Sequence, residues 1–206
     1  MRRPLPVLLL ALAFASPVRA EPEGADFFPL AEGTVWTFDT RYEQSGPYEV
    51  KRTGTLVERV EGIEEIGGRR YTRVAWTVTG IGTEDVRDAR RVRIDDEGAW
   101  YVYEGREHLG LPFPPEIGRT WAAKEPAPGW TYRVERAPDV VETPAGRFEH
   151  CIEIVQALGD GRTEGRETRC PGVGRVRLVT TARVPTPAGE LVGVTDNVLT
   201  QREPAP

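Results

Sequence analysis

Apolar and polar residues alternate with a period of two along most of the chain beyond residue 34. In the first such stretch Trp36, Phe38 and Tyr42 fall on one face, while Thr37 and Asp39 fall on the other. A period of two is typical of a β-strand with one buried face. The same pattern predicts further strands at about 48–60, 70–79, 86–94, 100–102, 130–134, 148–158, 162–169, 176–182 and 190–201.

The composition agrees with this pattern. The chain has 22 glycines and 18 prolines in 206 residues, which favours many short strands joined by turns over long helices. No long stretch has helical periodicity, and a short helix near residues 104–110 or 122–125 stays open. The pattern predicts an all-β fold in which an antiparallel meander curls into a barrel or a half-barrel.

The clearest hairpin lies between the strand-like stretches 148–158 and 162–169, which Asp160-Gly161 separates. Asp-Gly is a favoured pair for a two-residue type I′ turn, because both central positions need a positive φ. Counting outward from that turn places Cys151 directly opposite Cys170. The count predicts a hydrogen-bonded pair with Cα atoms roughly 5.5 Å apart.

A disulfide between these two cysteines is the preferred interpretation of that register, because a disulfide can span about 5.5 Å between Cα atoms. It would close about 20 residues and contribute on the order of 3 kcal/mol to stability. A bulge that shifts the register by one residue is an alternative, since side chains lie closer in a non-hydrogen-bonded pair. Two separate buried thiols are the other alternative.

Two short motifs flank this hairpin. The first has the pattern V-x-x-P-A-G-x-F-x-x-C and consists of Val141, Pro144, Ala145, Gly146, Phe148 and Cys151. The second has the pattern P-G-V-G-x-V and consists of Pro171, Gly172, Val173, Gly174 and Val176. At these residues the chain resembles a broad family of exported bacterial proteins of unknown function, which more usually carry an aromatic residue and alanine where Arg169-Cys170 stands here. The resemblance implies an exported β-rich domain and transfers no catalytic residues.

The N-terminal residues 1–20 have the pattern of a secretory signal peptide. Arg2 and Arg3 precede an apolar core, and Ala20 ends a small-x-small cleavage site. The apolar core is too short to span a bilayer. We therefore expect a periplasmic or secreted protein, in a compartment where disulfides form.

The net charge disfavours two classes of partner. The chain carries 27 basic and 32 acidic residues, and the predicted signal peptide contains three of the basic ones, so the remaining chain has a net charge near −8. That charge disfavours nucleic acid and anionic membrane surfaces as partners. The remaining length suits one domain, which we place at residues 21–203 with a tail at 204–206.

A spacing of the form F-P-x-x-x-G-x-x-W occurs twice, at Phe28–Trp36 and again at Phe113–Trp121. The proline-rich stretch Leu111–Pro115 leads into the second motif and is typical of a connector. We interpret the recurrence as an internal duplication with halves at 27–104 and 112–203. Chance recurrence of a turn followed by tryptophan is the alternative.

Little in the sequence resembles a catalytic or metal site. His108 and His150 are the only histidines and lack metal-binding spacing, and His150 falls in a predicted strand where a packed core histidine is expected. Two acidic clusters, at 61–65 and 95–97, fall in predicted turns and are interpreted as solvated loops. The sequence therefore predicts no catalytic residue, no cofactor and no bound metal.

Six aromatic residues offer the one open site hypothesis. All lie on apolar strand faces or at strand starts, where aromatic side chains usually form core. In a curled sheet they would alternatively line a cavity for a lipid or another apolar ligand. These residues are Trp36, Phe38, Trp76, Trp100, Trp121 and Trp130.

Two functional classes follow from this sequence. The first is a non-enzymatic envelope protein that binds an apolar small molecule or lipid in its sheet, or a protein partner on its outer face. The second is a hydrolase that acts on cell-wall glycan or peptide through two carboxylates roughly 5–10 Å apart. The first is preferred, because the sequence predicts a curled sheet that can enclose a ligand and has no identifiable catalytic residues.

Overall fold

One antiparallel β-sheet dominates the structure. The computed structural model describes residues 21–103, 105–123 and 129–205, so the predicted signal peptide lies outside the described residues. A 3₁₀ turn at Ala25–Phe27 precedes the first strand. The strands are β1 (Val35–Ser45), β2 (Val50–Ile66), β3 (Arg69–Thr79), β4 (Val86–Asp95), β5 (Gly98–Tyr103), β6 (Arg106–Pro112), β7 (Thr120–Ala122), β8 (Trp130–Arg136), β9 (Val140–Thr143), β10 (Gly146–Glu149), β11 (Ile152–Leu158), β12 (Thr163–Cys170), β13 (Gly174–Thr186) and β14 (Gly189–Glu203).

Twelve of these strands form a single sheet in the order β6-β5-β4-β3-β2-β1-β14-β13-β12-β11-β8-β7. The strands β9 and β10 form a separate hairpin. All pairs are antiparallel, which confirms the predicted all-β class. The sheet ends at β6 and β7, which have no backbone pairing with each other in the described chain. The sheet is therefore open, and of the two predicted alternatives, a barrel or a half-barrel, the barrel is not confirmed.

The sheet is nevertheless strongly curled. In a flat sheet, β5 and β12 would lie roughly 34 Å apart, at about 4.8 Å per strand. Instead, Arg169 of β12 donates a hydrogen bond to the Tyr101 hydroxyl of β5 at 3.3 Å. The two end strands also meet, because Trp121 Nε1 of β7 donates to the Leu109 carbonyl of β6 at 3.0 Å. Residues on the concave face therefore enclose an interior.

A single hydrophobic cluster fills one end of this interior. Phe38, Val74, Val134 and Leu199 are fully buried and come from four different strands. The chain before β1 contributes as well, because Phe28 lies in the same cluster. Both predicted halves share this cluster.

The two F-P-x-x-x-G-x-x-W motifs make the same turn. Gly33 N donates to Val60 O at 3.0 Å, and Gly118 N donates to Val134 O at 2.8 Å. The two glycines have φ angles of 91° and 89°, a conformation that favours glycine. The Phe28 ring of one motif also packs 6.2 Å from the Phe113 ring of the other. This equivalence fits a duplication of 27–104 and 112–203, which stays a prediction.

The register predicted for the long hairpin is confirmed. Ile152 pairs with Arg169 in the ladder between β11 and β12, so the next residues outward are Cys151 and Cys170. These two cysteines form a disulfide. Their Cα atoms are 4.1 Å apart, nearer the separation of a non-hydrogen-bonded pair than the predicted value of roughly 5.5 Å.

The predicted two-residue turn of that hairpin is wrong. The loop has four residues, 159–162, and Gly161 N donates to Leu158 O at 2.8 Å. Asp160 does not have the positive φ that a type I′ turn requires at both central positions. Its side chain instead accepts a hydrogen bond from Arg162 N at 2.9 Å. Both loops keep the same strand residues opposite each other, which is why the register was predicted correctly.

Two further expectations were wrong. The predicted strand at 148–158 is interrupted at His150, which has a φ of 57° and is exposed. The left-handed backbone turns the chain at this residue, so His150 is not a packed core histidine. The possible helix at 104–110 is instead the edge strand β6, and the possible helix at 122–125 extends outside the described residues. No helix in the described residues is long and apolar enough to cross a membrane.

Candidate functional site

A cavity of about 220 Å³ lies inside the curled sheet. Its lining comes from β4, β5, β6, β8, β11, β12 and β13, together with the segment before β1. Most of these side chains are polar or charged. They are Phe28, Arg90, Tyr101, His108, Gly110, Tyr132, Ile154, Gln156, Glu167, Arg169, Arg175 and Leu178.

Strand alternation places two charged residues on the concave face. On β2, Leu56 and Val60 are each two positions from Glu58 and are both buried. Residues two apart on a strand share a face, so Glu58 also points inward. Arg90 lies two residues before the buried Val92 on β4. Glu58 and Arg90 therefore point into the interior, at strand positions next to apolar residues of the same face.

A β-bulge brings Arg175 inward beside Arg169, which alternation with Glu167 already places on the concave face. Between β12 and β13 the register changes, so that Arg169 pairs with Arg175 while the preceding Thr168 pairs with Arg177. A bulge adds one residue to one strand and re-aims its neighbours. Arg175 and Leu178 consequently line the same cavity although they are three residues apart.

Glu58 is the centre of a buried ion cluster. Its carboxylate accepts two hydrogen bonds from Arg90, at 2.7 and 2.6 Å, and a further one from Arg175. Burial alone would raise the pKa of Glu58, but the positive charges of Arg175 and Arg90 outweigh burial and lower that pKa to about 2. Glu58 is therefore ionised at neutral pH, which disfavours it as the general acid of a hydrolase, since that role needs a raised pKa.

Arg169 has its own set of partners. Its guanidinium donates to the Phe27 carbonyl at 3.0 Å and lies 2.6 Å from a carboxylate oxygen of Glu167. It also lies 4.0 Å above the Phe28 ring, which is within range of a cation–π interaction. Only 5% of Arg169 is exposed. The side chain is therefore held in one position at the cavity wall.

Part of the cavity lining is apolar and aromatic. It consists of Ile154 and Leu178, which flank Glu167 in the sheet, together with Tyr132. Burial raises the pKa of Tyr132 to about 12, so its hydroxyl stays neutral. Gly110 has a steric role here, because a Cβ atom at this position would lie 2.0 Å from the Tyr101 ring.

His108 also lines the cavity. It is neutral at pH 7, because burial lowers its pKa. Its ring stacks on Tyr101 with centroids 5.7 Å apart. The Nδ1 atom is buried and has no hydrogen-bond partner among the described residues. His108 thus adds a polar atom, but no charge, to the cavity.

None of the six predicted aromatic residues lines this cavity. Trp36 is buried and donates from Nε1 to the Val173 carbonyl at 2.7 Å, and Phe38 is fully buried with Arg175 5.2 Å from its ring centroid. Trp121 stacks on Tyr132 at 5.2 Å.

The remaining three predicted residues are spread over both faces. Trp76 packs against the hydrophobic cluster, and Trp130 pairs with Leu158 in the ladder between β8 and β11. Trp100 faces outward, where Arg93 lies 5.3 Å from its ring. Alternation explains this placement, because the neighbouring Tyr101 faces the cavity.

The two acidic clusters lie on the outer face and are engaged in ion pairs. The cluster at 61–65 lies within β2, so its interpretation as a solvated loop is wrong. Glu64 contacts Arg73 and Arg91, each at 2.9 Å. Asp95 accepts hydrogen bonds from the Trp100 indole at 3.0 Å and from backbone N–H groups of its own turn. In the described part of the chain no three His, Cys, Asp or Glu residues are grouped to hold a metal ion.

Sequence reasoning missed the charged residues of the cavity. Glu58 and Arg175 are 117 residues apart, and no spacing pattern relates them. The sequence pattern could have indicated two of them, because Glu58 and Arg90 lie at positions where the alternation predicts an apolar, inward-facing side chain. A charge at such a position must be paired inside the protein or titrate, since an isolated buried charge is very unfavourable.

Comparisons with known proteins find only distant similarities to solved structures. No protein-family profile and no curated protein matches the sequence. A protein of Bacteroides fragilis with a YmcC-like fold, assigned as exported, is 16% identical with a TM-score of 0.47, over 86% of this chain and 98% of that one. A protein of Parabacteroides distasonis assigned as a lipoprotein is 15% identical with a TM-score of 0.48, over 90% and 100%. MucB of Pseudomonas aeruginosa, solved in complex with MucA, is 12% identical with a TM-score of 0.18, over 88% and 95%. These identities and scores assign no family.

Proposed function

We propose that this chain is an exported, non-catalytic protein that binds a small ligand inside its curled sheet. The observation that carries the proposal is the cavity of about 220 Å³, whose lining combines charged side chains with apolar and aromatic ones. This volume exceeds the roughly 150 Å³ cavity that holds benzene. It is smaller than the roughly 300–1,000 Å³ pockets that hold drug-sized ligands. The ligand is therefore about the size of one or two aromatic rings, or part of a larger ligand extends out of the cavity into solvent.

Export is supported by the signal-like residues 1–20 and by the Cys151–Cys170 disulfide. Disulfides persist outside the reducing cytoplasm. The absence of a catalytic role is supported by the state of Glu58, whose two arginine partners keep it ionised and occupied. The mixed lining also changes the ligand class that the sequence predicted, because a purely apolar ligand would leave the charged wall without polar contacts.

Native mass spectrometry of protein purified gently from the periplasm of a bacterial host tests the proposal. Leu178→Trp fills the cavity, since Leu178 lines it. Val179→Trp is the matched control, because Val179 is the next residue of β13 and faces outward opposite Arg166. We expect an extra mass, removable by organic extraction, on the unchanged protein and on Val179→Trp but not on Leu178→Trp.

Two results would overturn the proposal. One is the same extra mass, in the same proportion, on Leu178→Trp, which would place the ligand outside the cavity. The other is a bare protein that also fails to bind 1-naphthoate and its neutral analogue 1-naphthamide. The chain would then be assigned to the protein-partner class, and capture from envelope extracts would identify that partner.

A further inference from the structure

The charges of the described residues around the cavity do not balance. Among these residues, three arginines (Arg90, Arg169 and Arg175) meet two glutamates (Glu58 and Glu167). His108 is neutral at pH 7, so the cluster has one excess positive charge. Unpaired charge in a protein interior is very unfavourable. A single negative charge in the cavity would neutralise the cluster.

Two hydrogen-bond donors at the same wall have no acceptor. The Nε atoms of Arg169 and Arg175 are buried and lack a hydrogen-bond partner among the described residues. Both side chains are at least nine-tenths buried, with 6% and 10% of their side-chain surface exposed. An unsatisfied buried donor is destabilising, and a bond from arginine to a carboxylate is among the stronger hydrogen bonds in proteins.

The contact between Arg169 and Glu167 leaves Arg169 able to take a further acceptor. The nearest atoms are 2.6 Å apart, yet that Glu167 oxygen has no hydrogen bond of good geometry. Glu167 therefore balances the charge of Arg169 without occupying its Nε donor. Ile154 and Leu178 flank Glu167 in the sheet, so an apolar surface adjoins these donors in the lining of the same cavity.

We infer that the ligand is an amphipathic monoanion, with a carboxylate at Arg169 and Arg175 and an apolar body against Ile154, Leu178 and Tyr132. This inference rests on the proposed function and specifies its ligand class. One negative charge matches the single excess positive charge. The two carboxylate oxygens match the two unpaired Nε donors. Aromatic acids and short-chain fatty acids have this chemistry.

Isothermal titration calorimetry with 1-naphthoate and 1-naphthamide tests the inference. The two probes share size and shape and differ in charge, so their affinity ratio reports recognition of the carboxylate. We expect 1-naphthoate to bind the unchanged protein at least about tenfold more tightly, as one charge-assisted hydrogen bond suffices for that ratio. Equal affinities would overturn the carboxylate inference and leave the ligand-binding proposal intact. Failure of both probes to bind would overturn the carboxylate inference, and the ligand-binding proposal would fall with it only if the native protein also carries no extra mass.

Two variants act in opposite directions on this ratio. Glu167→Gln removes the competing carboxylate beside Arg169, and we expect it to tighten 1-naphthoate about tenfold with little effect on 1-naphthamide. The double variant Arg169→Gln with Glu167→Gln removes the cation and leaves a neutral pair in its place. We expect it to lower the affinity ratio below that of the unchanged protein, because Arg169 no longer donates to the carboxylate, while Arg175 keeps part of the preference.

Arg177→Gln is the control for these variants. Arg177 lies on the outer face of β13, where it pairs with Asp196 at 2.8 Å, so the substitution changes the net charge without touching the cavity. We expect it to leave the affinity ratio unchanged. Thermal unfolding of each variant shows whether it is folded. An unchanged ratio in folded Glu167→Gln would overturn the inference even if the double variant fails to fold.

Discussion

The two faces of the sheet use the same residue types in opposite ways. On the concave face, Glu58 contacts Arg90 and Arg175, and only 3% of the Glu58 side chain is exposed. On the outer face, Arg166 contacts three carboxylates but 47% of its side chain is exposed. Water screens the outer charges, whereas the inner ones depend on each other. Burial, rather than the number of ion pairs, therefore decides which arginines matter for stability.

The comparison also separates stability from function. Exposed ion pairs contribute about 0–1 kcal/mol each, because water and salt weaken them. A buried cluster contributes little net stability as a whole, since the arginines and glutamates lose hydration, but removal of one member leaves the others unpaired. The concave cluster is therefore sensitive to substitution and also able to interact with a charged ligand.

Glu58→Gln tests the inner face and has the largest expected effect. The substitution removes the charge that Arg90 and Arg175 share, and we expect a loss of about 3–5 kcal/mol in the free energy of unfolding. Urea titration measures it. Glu64→Gln is the outer-face control, because Glu64 also contacts two arginines but is 34% exposed, and we expect at most about 1 kcal/mol. Equal losses would contradict the role assigned to burial.

Acid sharpens the same comparison. The pKa of Glu58 lies at about 2 in the folded protein against a usual value of 4.5. Its contribution is therefore fully present above about pH 4.5 and is lost as the pH falls toward 2. The loss is roughly 3 kcal/mol. The free energy of unfolding between pH 7 and pH 2.5 should fall less steeply in Glu58→Gln than in the unchanged protein. Parallel curves would show that Glu58 is not the titrating group.

Arg166→Gln has the smallest expected effect. Arg166 lies 2.5 Å from Glu153, 3.1 Å from Glu164 and 3.3 Å from Glu135. Because this network is exposed, we expect a loss of at most about 1 kcal/mol, which 1 M salt should erase. Urea titration at low and high salt measures both values. A loss above about 3 kcal/mol that persists in salt would show that the outer network is as important as the inner one.

The local elements of the fold were largely predictable. The period of two in stretches such as Trp36–Tyr42 depends only on alternate side chains pointing to opposite faces. The hairpin register that joins Cys151 to Cys170 followed from counting outward from one loop. The turn itself was assigned wrongly, because a two-residue and a four-residue loop keep the same residues opposite each other. His150 was also assigned wrongly, since its positive φ has no signature in the sequence.

The site was much less predictable. Its residues come from strands far apart in the chain, and Glu58 and Arg175, which share a hydrogen bond, are separated by 117 positions. Only the curl of the sheet brings those strands together. The six aromatic residues were reasonable candidates because aromatic side chains favour apolar surroundings. Trp100 faces outward all the same, since alternation gives the inward position to Tyr101.

The sequence by itself determined the β class, the strand register near the disulfide and the inward positions of Glu58 and Arg90. These properties depend on neighbours close in the chain, for which alternation and turn chemistry are sufficient. The tertiary structure alone decided that β5 faces β12, that Arg169 and Arg175 share a cavity and that their Nε donors lack acceptors. Such properties depend on how twelve strands curl together, and they result from packing between residues that have no relation in sequence.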